Sequence, residues 1–361
     1  MELGLVTGGR AAAEPQPGGP VAVRARAPLR LGLAGGGTDV SPYADLHGGA
    51  VVNATIGRWI HAEIERIAGD EVIVESRDLG VAQRHPVGAL PIDGRLDLPK
   101  AVYNRVVRDF LGGHAPALRI ATLADAPPGS GLGASSTLAV AVLQAFRELF
   151  GLPLDAWKVA RLAYAVERGD LGLAGGRQDQ YASAFGGFNF MEFGKAGDVR
   201  VTPVPVAPAT LAALEAQIVL CFTGVSRESA AIIAEQAANV RAGVARSLAA
   251  THRLKASAFA MRDALAAGDL ARVAATLRDG WTSKRDMAHA ISNARIEEVL
   301  AAATAAGAHA GKVSGAGGGG YMMFLATADR RAAVVTALER LGCRTDGCAF
   351  TGEGASAWPI R

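Results

Sequence analysis

Apolar positions recur along this chain at two spacings, and the switches between them mark out its elements. From Val21 the apolar residues come in short runs: Val21–Ala27, Leu29–Ala34, Ala50–Ala54, Ile60–Glu65 and Glu71–Glu75. Several are rich in β-branched residues and bounded by Gly or Asp, which predicts strands. Between Lys100 and Phe110 the spacing changes, placing Val102, Val106, Val107 and Phe110 on one helical face. Leu118–Thr122 reads as a strand, Ser135–Phe150 and Leu154–Arg168 as helices, and Gly187–Phe193 as a further strand. After Pro203, Pro205 and Pro208 come a strand at Gln217–Phe222 and a helix-rich stretch from about Ala230 to Ala306. The last part reads strand (Ala308–Ser314), strand (Tyr321–Leu325), helix (Arg330–Leu341) and strand (Arg344–Phe350). Runs of strands followed by runs of helices predict an α+β protein rather than a regular βαβ series. The proline cluster is the expected boundary between a first domain, 21–205, and a second, 206–361.

Composition narrows the class. A 361-residue chain can bury two cores, and 50% hydrophobic with 20% charged residues describes a globular protein. A formal net charge of +3 gives no case for nucleic acid as a partner. No run of eighteen apolar residues predicts a membrane span. Cys221, Cys343 and Cys348 show no metal-binding spacing and suit buried thiols in a reducing cytoplasm. Met1–Pro20, rich in Gly, Ala and Pro, lacks the pattern of a signal peptide and reads as a flexible extension. The oligomeric state stays open, a homodimer included.

Chemistry concentrates in Pro127-Pro128-Gly129-Ser130-Gly131-Leu132-Gly133-Ala134-Ser135-Ser136, which runs into an apolar helix. Glycines let the backbone approach a ligand, and the helix offers free N–H groups and its positive dipole end. Such a loop cradles phosphate. It has no Lys for a Walker A loop, and its prolines and surroundings do not fit a dinucleotide fingerprint. Two other glycine-rich strings are Pro28-Leu29-Arg30-Leu31-Gly32-Leu33-Ala34-Gly35-Gly36-Gly37-Thr38-Asp39 and Lys312-Val313-Ser314-Gly315-Ala316-Gly317-Gly318-Gly319-Gly320.

In this order the three strings resemble the signatures of the GHMP kinases, over about residues 21–361. Gly175-Gly176-Arg177-Gln178-Asp179-Gln180-Tyr181-Ala182 and Phe185–Phe193 make the chain similar, within them, to D-glycero-D-manno-heptose 7-phosphate kinases. The resemblance implies a two-lobed fold with the active site in the cleft, ATP held by Pro128–Ser136, and Mg²⁺ held by Ser136 and Glu167. It implies Asp179 as the catalytic carboxylate, with Arg30 beside it. Sugar contacts are expected from Gly36, Gly37, Thr38, Asp39, Arg177, Ser314, Gly315, Ala316 and Gly317. The implied reaction is ATP-dependent transfer to the anomeric hydroxyl of the sugar phosphate, leading toward nucleotide-heptose and surface polysaccharide. A sugar's distal phosphate calls for cations outside the ATP motifs; Arg227, Lys284 and Arg285 are candidates alongside Arg177. Lys312 is weighed between neutralising phosphate and lying at a solvated strand end. Galactokinases carry Gly-Glu-His-Thr-Asp where this chain has Gly35-Gly36-Gly37-Thr38-Asp39, whereas fucokinase-like enzymes share the glycine-rich form. A non-catalytic sugar sensor is the alternative of another class.

Overall fold

The computed structural model describes residues 19–224 and 229–360. The strands are β1 (Ala22–Ala34), β2 (Gly49–Arg66), β3 (Glu71–Ser76), β4 (Val81–Pro86), β5 (Leu118–Ala124) and β6 (Phe188–Phe193). They continue with β7 (Val199–Pro203), β8 (Ile218–Phe222), β9 (Ala308–Val313), β10 (Tyr321–Ala326), β11 (Arg344–Asp346) and β12 (Ser356–Pro359). Among the described residues they form two sheets. The larger runs β12-β1-β2-β5-β3-β4, with β6 also on β2 and β7 on β6. The smaller, β11-β8-β10-β9, is antiparallel throughout.

The four short strands expected up to Glu65 are two long ones. A register shift between Pro28 and Arg30 marks the seam inside β1; proline removes a ladder donor, so the strand bulges there instead of ending. The two halves differ in burial. In β2 the first eight residues are all buried, and buried positions then alternate with more accessible ones. The helix Ala134–Phe150 packs on β1 and β2, and so does the helix Ala245–Ala267 from the second half of the chain. Val140, Leu143 and Phe146 of the first share one core with Met261 and Leu265 of the second. A second core joins Val219, Met322 and Phe324 of the small sheet to Trp281, Ile296, Val299 and Leu338.

Three local features depart from the pattern-based expectations. The helix expected over 154–168 is α-helical only over Ala156–Ala165 and widens into a π-helical turn over Val166–Asp170. The expected strand 344–350 stops at Asp346, with Phe350 making a lone bridge to Ile56. The chain's last strand, β12, returns to pair with β1 in the large sheet. The three cysteines are free and buried. No described helix is long and apolar enough to cross a membrane. The N-terminal extension falls outside the described residues except for Gly19 and Pro20.

Candidate active site

The Pro127–Ser136 loop joins β5 to the helix Ala134–Phe150. Gly129, Gly131 and Gly133 all take positive φ, at 70°, 76° and 81°, so alternate positions require glycine. No side chain caps the helix that follows, which leaves its first-turn N–H groups available to a ligand. Leu132 points into the core and Ser130 is buried, so these two serve the loop through backbone and packing. The third motif lies directly against it: Ser130 O accepts from Tyr321 N, and a Cβ on Gly131 would stand 2.5 Å from Ser314 O.

Arg30 and Asp179 meet in front of the loop. Arg30 Nε donates to Asp179 Oδ1 at 2.7 Å and Nη2 to Oδ2 at 2.9 Å, a two-pronged pair. Arg30 Nη1 donates to Gly131 O at 2.7 Å, and Ser314 Oγ donates to the same carbonyl at 3.0 Å. Residues from all three motifs thus converge on one guanidinium. Arg30 is buried, whereas the Asp179 side chain keeps 24% of its surface exposed. Gly133 is the neighbour that admits it, its hypothetical Cβ lying 3.3 Å from Asp179 Cγ.

A second cluster lies at the mouth of the glycine-loop helix. Glu167, only 1% exposed, sits in the π-helical turn. Its Oε1 accepts from Ser135 Oγ at 3.0 Å, and Gln180 Nε2 donates to its Oε2 at 2.5 Å and to Ser136 Oγ at 3.0 Å. The Glu167 carboxylate and Ser136 hydroxyl therefore point at one positively polarised group. Gln180 Oε1 is buried without a partner among the described residues. No cluster of three His, Cys, Asp or Glu suited to a metal occurs among the described residues. One hydroxyl and one carboxylate nevertheless fit a hard cation that keeps several waters.

Gln178, Asp179 and Gln180 open the helix Gln178–Phe185. Successive helical residues point about 100° apart, so each faces a different partner: Asp39, Arg30 and the Ser136–Glu167 pair. Gln178 and Gln180 received no role from the sequence. The usable signal was three polar residues in a row before an apolar turn.

The residues expected to touch the sugar sit as follows. Asp39 is 2% exposed, and its oxygens accept from Gly37 N, Arg177 N, Gln178 N and Gln178 Nε2. A carboxylate offers about four acceptor sites, and here all four go to the loop and to the start of the Asp179 helix, which Asp39 braces. Thr38 is fully buried and clamps both backbone groups of Ala50. Arg177 turns its guanidinium to Asp45, at 2.7 Å. Arg285 pairs with Glu297 at the surface. Gly317 backs onto Ile291 O, and Ala316 packs beside the second core. Arg227 lies outside the described residues.

Lys284 does reach the site. It donates to Gly36 O at 2.9 Å, and Lys312 donates to Gly32 O at 2.6 Å. Burial lowers Lys284 to about 8, with Asp39 partly opposing and Arg30 adding to the shift, and lowers Lys312 to about 7, with the charges of Lys284 and then Arg30 adding to it.

Models of the GHMP kinases N terminal domain and of the GHMP kinases C terminal domain match residues 97–187 and 261–342. A D-glycero-alpha-D-manno-heptose 7-phosphate kinase of Campylobacter jejuni is 40% identical, across 94% of this chain and 99% of its own length. The chain belongs to the GHMP kinases. A crystal structure of a D-glycero-D-manno-heptose 1-phosphate kinase from Bacteroides thetaiotaomicron superposes with a TM-score of 0.80. It is 40% identical and covers 94% of this chain and 99% of that one. An L-fucokinase/L-fucose-1-P guanylyltransferase of Bacteroides fragilis is 27% identical over 86% of this chain, which spans 35% of that longer protein. The relatives are kinases, so ATP is the phosphoryl donor expected of this GHMP kinase fold.

Proposed function

We propose that this GHMP kinase transfers the γ-phosphoryl group of ATP to the anomeric hydroxyl of D-glycero-D-manno-heptose 7-phosphate, giving the 1,7-bisphosphate. The observation that carries the reading is the Arg30–Asp179 pair, set between the glycine loop and the third motif. In this reading residues 21–205 form the nucleotide lobe and 206–361 the second lobe, apart from β12, which pairs into the first sheet.

Phosphoryl transfer depends on positioning and on neutralising charge at the phosphate oxygens. The backbone N–H groups from Gly129 to Ser135 and the helix dipole hold the nucleotide phosphates. Asp179 accepts the proton of the sugar hydroxyl as that oxygen bonds to the γ-phosphorus and the bond to ADP breaks. Arg30 fixes both oxygens of the carboxylate and so sets which lone pair faces the hydroxyl. Ser136 and Glu167 are the residues suited to hold Mg²⁺, which supplies charge neutralisation on the phosphates when bound. Gln180 keeps these two oxygens together.

ADP release is to be measured with heptose 7-phosphate, heptose, fucose and galactose as acceptors. The expected result is kcat/KM for heptose 7-phosphate at least about 100-fold above the unphosphorylated sugars, the scale of lost charged hydrogen bonds. Equal turnover of fucose points to the fucokinase-like alternative, and tight sugar binding without turnover points to a sensor. Glu167→Ala is expected to raise the Mg²⁺ concentration for half-maximal turnover by about tenfold or more. An unchanged Mg²⁺ titration removes Glu167 from that role.

A further inference from the structure

Two cations of the site, Lys284 and Lys312, take no part in the phosphoryl transfer itself. A cleft lies beside Arg30, with Gly36, Gln178, Lys284, Lys312 and Gly315 among its walls. Among the described residues three cationic side chains line it and no carboxylate does. Arg30 is committed to Asp179. Lys284, 6% exposed, and the half-buried Lys312 make no ion pair among the described residues, and their bonds run to main-chain carbonyls. The nearby carboxylate of Asp39 already holds four donors.

A buried ammonium without a counter-charge is costly, and a protein normally pairs it or neutralises it. Here the two lysines come from separate elements, the helix Leu270–Arg285 and strand β9, and both reach to β1 and the loop after it. Glycines at 32, 35, 36, 280 and 315 keep side chains out of the space between them. Gln178 Oε1, buried without a partner among the described residues, adds an acceptor suited to a sugar hydroxyl.

We propose that Lys284 and Lys312 form the seat of the phosphate group that the sugar acceptor already carries. This rests on the reading of the acceptor as a sugar phosphate. The nucleotide is the other source of phosphate, and the walls argue against it: no residue of the Pro127–Ser136 loop lines the cleft. The acceptor instead spans from Asp179, at the reacting hydroxyl, past Arg30 to the two lysines. The lowered Lys284 and Lys312 values agree with sites that an incoming dianion would recharge.

Lys284→Met and Lys312→Met test this. Each removes the charge and keeps an apolar stem, so the melting temperature is expected to hold or rise, because an unpaired buried charge is lost. KM for heptose 7-phosphate is expected to rise about 10- to 100-fold, the size of one or two charge-assisted hydrogen bonds, with KM for ATP within about twofold. The preference for phosphorylated over unphosphorylated heptose should shrink by the same factor. A rise in KM for ATP, with the sugar-phosphate KM unmoved, overturns the proposal.

Sulfate binding to the protein saturated with a non-hydrolysable ATP analogue, which fills the glycine loop, is followed by calorimetry and gives an arm independent of turnover. Sulfate keeps its double charge between about pH 6 and about pH 9, so with the glycine loop filled the pH dependence follows Lys284 and Lys312. Affinity should fall across that range as the ammonium groups lose their protons, and either Met variant should abolish it. Sulfate bound equally by wild type and both variants also overturns the assignment. If wild type shows no preference for a phosphorylated sugar, the functional reading fails. The sulfate arm then decides the anion site by itself.

Discussion

Replacing Asp179 by Asn is expected to lower kcat by more than about 10²-fold, the scale of general acid–base assistance, with little change in folding or ATP affinity. Two properties of the carboxylate are lost together. The amide cannot accept a proton from the sugar hydroxyl, and its –NH₂ faces a guanidinium that also donates. Arg30 then keeps one of its two bonds to residue 179, while those to Gly131 O and toward Ser314 remain. Because the Asp179 side chain is partly exposed, solvent takes up the orphaned donor and the stability loss is limited to about 1 kcal/mol. Single-turnover kinetics with a fluorescent ATP analogue separates the chemical step from nucleotide binding. Near wild-type turnover in Asp179→Asn would reduce Asp179 to a structural partner of Arg30.

Local pattern revealed most of the elements, because alternation and helical spacing report one buried face at a time. It split β1 and β2 because their inner halves are buried on both sides, with Ala245–Ala267 covering the face that a lone sheet would leave to water. That packing joins residues some two hundred positions apart, and no local window contains it. The motif order was legible in the same way that glycine is legible: positive φ and close backbone approach tolerate little else. The π-helical turn that aims Glu167 was not legible, since one extra residue per turn leaves no mark on the spacing of Val159, Leu162 and Val166. Nor was the depth of Lys284 and Lys312, whose sequence neighbours look like any solvated helix end or strand end. Their setting depends on where the helix Leu270–Arg285 and strand β9 bring them, beside the carbonyls of Gly36 and Gly32.

The same dependence on distant partners gives Asp39 a structural task that its motif does not announce. Its four donors come from the loop that carries it and from the start of the Asp179 helix. Gly176 leaves the room for that contact, a Cβ there falling 1.9 Å from Asp39 Oδ2. Asp39→Ala is therefore expected to destabilise the protein by about 3 kcal/mol, because the buried N–H groups of Arg177 and Gln178 lose their acceptor. It should also lower kcat about 10²-fold, since a shift near 1 Å in the helix start misplaces Asp179. Asp39→Asn should be milder. Its remaining oxygen can hold the two backbone donors, and its –NH₂ can donate to Gln178 Oε1, now without a partner, once that amide turns over. Denaturant unfolding and initial rates on the pair of variants decide the matter. A residue that only touched the sugar would raise KM for the acceptor in Asp39→Ala and leave unfolding unchanged.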